Sequence, residues 1–283
     1  AAEDARLLPE GTPPPAGRIG SVRLAPEPGW VDVHVALERR LPFRVDEGES
    51  TLELTIYGGS GDTGWLQYGR LDPYIRRVEW EQPDGERYRL RVHTDGWPWG
   101  YRAFFAPNGD LVLRVRRPPV LDPDDPLRGA LIAVDAGHPP GGATGPTSLW
   151  EPEANLAIAL ALQRHLEERG ARVLMTRTDT AAVALGARPA MATRANADVL
   201  VSIHNNAFPD GVNPFRNAGT SVYYFHPKSA LLARELQREL LAELRLRDIG
   251  IGRANLALAR PTWMPAALTE TAFLMIPEQE AAL

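Results

Sequence analysis

Four side chains in the second half of the chain are suited to metal-assisted hydrolysis. His138, Glu151 and His204 are two imidazoles and a carboxylate, a common ligand set for catalytic zinc that leaves one coordination position open for water. Such an ion acidifies water and polarises a carbonyl group. Glu270 could take up the water's proton and pass it to a leaving amine. The spacing alone is a weak signal, because no short HExxH-like pattern fixes two ligands on one helix.

Three of these candidates are expected just beyond the carboxyl ends of strands. Short apolar runs predict strands at Leu131–Val134 before His138, at Val199–Ile203 before His204, and at Ala266–Thr269 before Glu270. Glu151 lies at the start of a helix predicted over Glu153–Arg169, which Gly170 ends. In open α/β sheets ligands bind at the carboxyl edge, so all four side chains are expected to meet there.

The remaining elements of this half alternate between strand and helix. The pattern predicts a strand at Val173–Thr176, a helix at Arg188–Ala197, a strand at Ser221–Phe225, and a helix at Ser229–Leu246 with a serine cap. This alternation predicts an α/β domain over residues 129–283, with a mixed, mostly parallel sheet flanked by helices.

The first half has a different periodicity. Over residues 18–117, apolar residues alternate with polar ones in several short runs: Val31 to Leu37, Leu52 to Ile56, Leu90 to Val92, and Leu111 to Val115. Turn signals such as Pro83-Asp84-Gly85 separate them, which is typical of an all-β sandwich. Residues 1–17 are predicted to be a disordered or extended segment, and the Pro/Asp-rich residues 118–128 a linker between domains.

Composition removes several classes of function. The net charge is −5 and there is no polybasic block, so nucleic acid is not an expected partner. The chain has no cysteine, which excludes disulfides, Cys-type zinc sites and thiol nucleophiles. There is no apolar run long enough for a transmembrane segment, and Ala1–Gly17 lacks the apolar stretch of a signal peptide. The oligomeric state is left open.

Seven motifs in the second half follow one another in a distinctive order. They are Asp135-Ala136-Gly137-His138, Glu151 with Asn155-Leu156, Thr176-Arg177-Thr178-Asp179, Arg194-Ala195-Asn196-Ala197-Asp198, Ser202-Ile203-His204-Asn205-Asn206, Gly219-Thr220-Ser221-Val222-Tyr223-Tyr224, and Pro265 to Phe273. This series resembles the zinc-dependent N-acetylmuramoyl-L-alanine amidases, often called type-3 amidases, from about Leu131 to the end of the chain. The first half is similar, more loosely, to the AMIN-type β-domains that hold such enzymes at the cell wall.

The resemblance implies a function and a role for each residue. It implies that His138, Glu151 and His204 bind Zn²⁺ and that Glu270 is catalytic. The implied substrate is peptidoglycan, cut at the amide between N-acetylmuramic acid and the L-alanine of the stem peptide. The implied location is extracytoplasmic, in the periplasm or cell wall, and an activator protein, if there is one, is unknown.

Several assignments have alternatives. Glu153 could be the third ligand instead of Glu151, which could simply stabilise a helix N-terminus. Glu270 could be a buried acid paired with Arg177 or Arg194. Asp135 is expected to orient the His138 loop, and Arg177 with Asp179 to fix a loop, whereas Asn205 and Asn206 either bind substrate or build the turn. The other histidines are expected to be structural: His34, His93, His165 and His226.

The chain departs from the family pattern in three places. Pro139-Pro140 stand where the family has glycines, which stiffens the loop after the first ligand. The chain stops at Leu283, soon after Pro277-Glu278 would start a final helix, so we expect a truncated C-terminal helix. The segment from His204 to Gly219 is too short for an autoinhibitory helix, which predicts an open cleft.

Two rival functions remain at this stage. One is a peptidoglycan-binding protein without catalysis, and the other is a zinc hydrolase that cuts a different amide of the stem peptide. Five aromatic residues of the β-domain could stack on sugar rings or belong to its core: Trp65, Tyr68, Trp97, Trp99 and Tyr101. The segment Trp97-Pro98-Trp99 contains the best candidate for an exposed ring.

Overall fold

A computed structural model describes residues 17–61, 63–68, 72–209 and 211–283 of the chain. It divides into two compact units, with the division between Arg117 and Pro118. The segment predicted to be disordered or extended, residues 1–17, lies outside the described residues except for Gly17, which begins the first strand. Among the described residues, no helix is long and apolar enough to cross a membrane.

The first unit is made of strands, and its described residues contain no helix. The ten strands are β1 (Gly17–Glu27), β2 (Trp30–Leu37), β3 (Phe43–Glu47), β4 (Thr51–Tyr57), β5 (Gly59–Gly61), β6 (Leu66–Gln67), β7 (Ile75–Asp84), β8 (Arg87–Thr94), β9 (Gly100–Phe105) and β10 (Leu111–Arg116). One sheet has the order β5-β1-β2-β10-β9, with β6 also paired to β1, and the other has the order β3-β4-β8-β7.

Side chains from both sheets form one apolar core in this unit. The alternating residues of the four runs named above point into this core. Val31, Val33 and Val35 of β2 are fully buried, whereas Leu37, at the end of the same strand, is only partly buried. Strand geometry places every second side chain on the same face, so these runs bury one face of each strand. Tyr101 is also buried and joins the core, whereas Trp97 is 45% exposed and Trp65 67% exposed.

The described residues of the second unit form one six-stranded sheet, five α-helices and a short 3₁₀ helix, Pro227–Ser229. Its elements are β11 (Leu131–Ala136), α1 (Glu151–Glu168), β12 (Arg172–Met175), α2 (Ala187–Arg194), β13 (Val199–Asn206), α3 (Pro214–Asn217), β14 (Thr220–Tyr224), α4 (Ala230–Leu244), β15 (Asp248–Arg253), β16 (Ala266–Phe273) and α5 (Pro277–Glu280). The strand order is β12-β11-β13-β16-β14-β15. The first four strands in this order are parallel, and β14 runs antiparallel to β16. The predicted mixed sheet flanked by helices is confirmed.

The helix α1 carries the Glu151 carboxylate and packs against the sheet. Pro152 and two acidic residues occupy its first turn, where proline and negative charge are favoured. Leu156, Ile158, Leu162 and Leu166 pack on a core that includes Ile132, Val134 and Ile203. Gly170, with φ of +79°, follows the helix in the left-handed conformation that glycine adopts without strain.

Several predicted boundaries are wrong, and two of them concern the site. β13 continues to Asn206 and β16 to Phe273, so His204 and Glu270 lie within strands rather than after them. Ser229 does not cap α4, since it has helical dihedral angles and its hydroxyl accepts a hydrogen bond from Ala266 N at 3.0 Å. Among the other elements, the strand β15 was not predicted at all.

Candidate active site

His138, Glu151 and His204 come together at the carboxyl edge of the sheet. One donor atom from each of these side chains lies within 4.8 Å of the other two. His138 follows β11, Glu151 is the first residue of α1, and His204 lies in β13 beside β11. Glu153 is exposed and has no place in this cluster. Of the two carboxylates considered as the third ligand, the structure brings only Glu151 to the histidines.

The ring of His138 is oriented by its own loop. Its Nδ1 lies 3.0 Å from the carbonyl oxygen of Pro140, and because a carbonyl can only accept, this nitrogen donates the hydrogen bond. The other nitrogen, Nε2, lies 3.5 Å from Glu151 Oε2. His138 also has a φ of +56°, a conformation that residues other than glycine adopt uncommonly and that often occurs at functional sites.

Gly137 makes room for the second imidazole. A Cβ atom on Gly137 would lie 2.4 Å from two atoms of the His204 ring, closer than real Cβ contacts allow. The glycine of the Asp-Ala-Gly-His motif is therefore required by the close approach of the loop to β13. The two rings lie edge to face, with 5.0 Å between their centroids.

The carboxylate of Glu151 is buried and held from several sides. His204 Nδ1 lies 3.2 Å from its Oε1, Asn155 Nδ2 donates to the same oxygen, and Ala143 N donates to Oε2 at 2.9 Å. Burial favours a higher pKa for this carboxyl, but these hydrogen bonds and the neighbouring imidazoles lower the pKa to about 2. Glu151 is therefore ionised at neutral pH, as a metal ligand must be.

Glu270 faces the cluster from the neighbouring strand. It stands opposite His204 in the register of β13 and β16 and is half-buried, with its Oε2 atom shielded from solvent. Burial raises the pKa of Glu270 to about 7, with His204 opposing and Glu151 adding to the shift. Its Oε2 accepts no hydrogen bond from any described residue. The alternative pairing with an arginine is absent, because Arg177 binds backbone carbonyls and Arg194 is exposed.

The raised pKa of Glu270 predicts that the metal-free protein becomes less stable as the pH rises. The folded state binds the Glu270 proton more tightly than the unfolded state, so the Glu270 contribution to stability falls as pH rises from about 4.5 to about 7. We expect Glu270→Gln to raise the free energy of unfolding at pH 8 by on the order of 3 kcal/mol and to have little effect at pH 4. Urea unfolding of the chelator-treated proteins at both pH values measures this, and a pH-independent difference would contradict it.

Asp135 does not belong to the cluster but anchors the loop that carries His138. Its carboxylate is fully buried and accepts hydrogen bonds from Thr176 Oγ1 and Ser202 Oγ, both at 2.6 Å, and from Arg188 Nη1 at 3.1 Å. Arg188 is also buried, and it donates to the carbonyl oxygens of Ala136, His138 and Pro139.

A second buried arginine holds the same loop from another side. Arg177 donates to the carbonyl oxygens of Ala136, Gly137 and Pro152, at distances between 2.7 and 2.9 Å, and to that of Asp179. Its contact with Pro152 ties the His138 loop to the first turn of α1, where Glu151 lies. Arg177 therefore holds the loop through backbone hydrogen bonds and is not one of the three clustered donors.

The Asp135–Arg188 pair gives a stability prediction. We expect Arg188→Met to lower the free energy of unfolding by about 3 kcal/mol or more, because it leaves a fully buried carboxylate without its counter-charge. Arg194→Met, at an exposed position of the same helix α2, is the matched control and should change stability by less than about 0.5 kcal/mol. Urea unfolding curves measure both, and equal effects would rule out a special role for Arg188.

Asn205 and Asn206 have different surroundings. Asn205 is buried, and its Nδ2 donates to Asn155 Oδ1 at 2.9 Å, which continues a chain of hydrogen bonds to Glu151. Asn206 ends β13, and its side chain accepts from Ala207 N. Neither side chain belongs to the His138–Glu151–His204 cluster. The four other histidines also lie outside it: His34, His93, His165 and His226.

The loop before α1 is held by a residue that the sequence did not single out. Glu280, in α5, is buried, and its carboxylate accepts hydrogen bonds from Thr147 N and Leu149 N at 2.9 to 3.1 Å. This loop leads through Trp150 directly to Glu151. A carboxylate in a short C-terminal helix gave no signal in the sequence, because its partners are backbone groups more than 130 positions away.

Comparisons with known proteins point to one family. A family model described as N-acetylmuramoyl-L-alanine amidase matches residues 132–283, just over half of the chain. The uncharacterized protein YqiI of Bacillus subtilis is 33% identical over 156 residues, which are 53% of this chain and 73% of that protein. The probable cell wall amidase LytH of Staphylococcus aureus is 34% identical over 164 residues. Those residues are 56% of this chain and 53% of LytH, so this chain spans about half the length of that relative.

A solved structure gives the same result. The N-acetylmuramoyl-L-alanine amidase from Clostridium difficile 630 superposes with a TM-score of 0.51 at 32% identity, covering 54% of this chain and 85% of that chain. Since the family model matches over half of the chain, including the residues of the His-Glu-His cluster, and the relatives and this structure agree with it, the chain belongs to the N-acetylmuramoyl-L-alanine amidase family of peptidoglycan hydrolases.

Proposed function

We propose that this chain is a zinc-dependent amidase that cuts the bond between N-acetylmuramic acid and the L-alanine of the stem peptide. In this proposal His138, Glu151 and His204 hold the ion, and Glu270 moves the proton. The observation that carries it is the cluster formed by these three donors, with the half-buried Glu270 on the adjoining strand. Membership of the amidase family supports the choice of substrate bond.

The residues fit a zinc ion in both chemistry and arrangement. Two imidazole nitrogens and one ionised carboxylate are ligands that zinc accepts, and three protein ligands are typical of a catalytic rather than a structural site. The His138 ring is oriented by Pro140 and the Glu151 carboxylate by Asn155 and Ala143. Such supporting hydrogen bonds are characteristic of protein metal ligands.

The protein groups divide the chemistry among them. A bound zinc ion supplies Lewis acidity, which polarises the substrate carbonyl and makes water a better nucleophile. Glu270 Oε2 has no hydrogen-bond donor among the described residues, so it is available to accept the proton of a nucleophilic water. Once protonated, the same carboxyl can pass that proton to the departing amine.

For the first unit we infer a role in holding the enzyme at the cell wall, outside the cytoplasm. The all-β structure of residues 17–116 and the loose similarity to AMIN-type domains support this inference. Two tryptophans of this unit are exposed and available to stack on a sugar ring: Trp65, at 67%, and Trp97, at 45%. In this arrangement residues 18–117 form the wall-binding domain, residues 118–128 the linker, and residues 129–283 the amidase domain.

Mass spectrometry of peptidoglycan fragments tests the proposed reaction. Purified sacculi are digested with the zinc-loaded protein, and the soluble products are compared with those from the chelated protein. Free stem peptides that begin with L-alanine, together with peptide-free glycan, support the amidase. Peptides cut at an internal bond would indicate a hydrolase of another stem amide, and binding to sacculi without any product would indicate a non-catalytic wall-binding protein.

A further inference from the structure

The short helix α5 is attached to two elements that carry residues of the site. Gln279 Oε1 accepts a hydrogen bond from Phe273 N at 2.7 Å, at the end of β16, the strand that carries Glu270. Glu280, the next residue, accepts hydrogen bonds from the loop of residues 143–150, which leads to Glu151. The helix is therefore fixed to the sheet through Gln279 and presents the Glu280 carboxylate to this loop.

The carboxylate of Glu280 is a buried contact rather than a surface group. Only 3% of the residue is exposed. Its Oε1 accepts from Thr147 N at 3.0 Å and from Leu149 N at 3.1 Å, and its Oε2 lies 2.9 Å from Thr147 N. Hydrogen bonds from backbone N–H groups to a carboxylate are charge-assisted and roughly twice as strong as those between neutral groups. These bonds hold the tip of the 143–150 loop against α5.

Two backbone features show how closely the loop fits around this carboxylate. A Cβ atom on Gly145 would lie 2.3 Å from Glu280 Oε1 and 2.8 Å from the carbonyl oxygen of Leu274, so the approach requires glycine. Ser148 lies between the two donor residues and has a φ of +76°, which residues other than glycine adopt uncommonly. Such a conformation persists where the surrounding contacts hold it, and the hydrogen bonds of its two neighbours to Glu280 are contacts of this kind.

The base of the same loop is tied to Glu151 itself. Ala143 accepts a hydrogen bond from Glu151 N, and Ala143 N donates to the Glu151 carboxylate, both at 2.9 Å. The two sides of the loop are joined between base and tip, because Gly145 N donates to the carbonyl oxygen of Leu149 at 2.9 Å. The loop is thus bound by Glu280 at its tip, and its base fixes both the backbone and the carboxylate of Glu151.

We propose that Glu280 is a positioning residue for the metal centre. By holding the tip of the loop, its carboxylate keeps Glu151 in the orientation that brings its two oxygens to His138 and His204. Glu280 is not one of the three clustered donors, so it acts through the backbone of the loop and not on the ion. The inference rests on the proposed function in taking zinc as the ion.

The zinc affinity of the folded protein tests this role. Glu280→Gln keeps the size of the side chain but replaces one acceptor oxygen by an N–H donor. We expect the affinity, from competition with a chromogenic chelator, to fall by about 10- to 100-fold, as when other groups that support a metal ligand are changed. Glu278→Gln, at an exposed position of the same helix, is the matched control and should leave the affinity unchanged. Equal affinities for the two variants would overturn the proposal.

A second pair of variants reaches the same contact from the loop. The methyl group of Gly145→Ala would press on Glu280 Oε1 and part the loop from the carboxylate, so a loss of zinc affinity of the same order is expected. Gly186→Ala is the control, because a Cβ atom there would meet no other atom within 4 Å. Circular dichroism at the temperature of the titration confines the comparison to folded proteins. Equal affinities for the two alanine variants would overturn the proposal even if Glu280→Gln did not fold.

The affinity measurement uses no substrate, which separates this inference from the proposed reaction. If the wild-type protein binds zinc but cuts another bond, a weaker affinity of Glu280→Gln still supports the positioning role. Amidase activity of the wild-type protein, with equal zinc affinities for Glu280→Gln and Glu278→Gln, would overturn the role of Glu280 and leave the amidase function standing. A wild-type protein that binds no zinc would overturn both.

Discussion

Glu270→Gln is expected to lower kcat for muramyl peptide hydrolysis by about 10²- to 10⁴-fold while the protein keeps its zinc. Glutamine has the size of glutamate but cannot take up the proton of the attacking water. The side chain lies on β16 opposite His204, outside the three-donor cluster, so its replacement removes no ligand. Steady-state kinetics and zinc content by inductively coupled plasma mass spectrometry measure the two effects on the same sample.

Glu278→Gln is the matched control, since it makes the same change at an exposed carboxylate eight positions away. It should leave both kcat and zinc content within about twofold of the wild-type protein, as expected for a surface substitution. A Glu270→Gln protein with wild-type kcat would remove Glu270 from the mechanism. Loss of zinc together with activity would instead make Glu270 a ligand.

The second large effect is expected at Glu151. Glu151→Ala removes the ionised carboxylate that lies between both histidines, and we expect it to reduce zinc affinity by at least about 100-fold and to abolish hydrolysis at limiting zinc. Perturbing only the groups that surround a ligand already costs about 10- to 100-fold in affinity, so losing the ligand itself costs more. Competition with a chromogenic chelator measures the affinity directly.

Glu153→Ala is the control that separates the two candidate ligands. Glu153 is exposed on the first turn of α1, two positions from Glu151. Its replacement should change zinc affinity by less than about twofold, with a small loss of helix stability from the missing negative charge at the helix N-terminus. If Glu153→Ala weakened zinc binding and Glu151→Ala did not, the third ligand would have been assigned to the wrong carboxylate.

The periodic parts of the fold were predictable from sequence because their burial follows the chain locally. Val31, Val33 and Val35 alternate along β2 and are fully buried, as the period of two predicts. The placement of His138 and His204 near strand ends was also predictable, since the strands before them are short and apolar. The strand β15 was not predicted because Gly250 and Gly252 interrupt the apolar pattern of its sequence. Its two isoleucines are also exposed in the structure, so they do not form part of a buried run.

The groups that support the site could not be predicted, because their partners are distant in sequence. In the sequence Arg188 looks like any arginine of a surface helix, yet its guanidinium donates hydrogen bonds to backbone carbonyl oxygens about 50 positions earlier in the chain. Glu280 similarly serves the loop before Glu151. Ser229 was expected to cap α4 but bonds to Ala266 on a neighbouring strand. In each case a tertiary hydrogen bond replaces the local one that a sequence pattern suggests.

The His138 loop is held in place by the protein itself, through hydrogen bonds that Arg177 and Arg188 donate to its backbone carbonyl oxygens. In small zinc modules the ion supplies the folding free energy, and a chelator unfolds the chain. Here buried arginines hold the metal-binding side chains in position instead. We therefore expect the zinc ion to be exchangeable. The protein should stay folded when a chelator removes the ion, and it should regain full activity when zinc is added back.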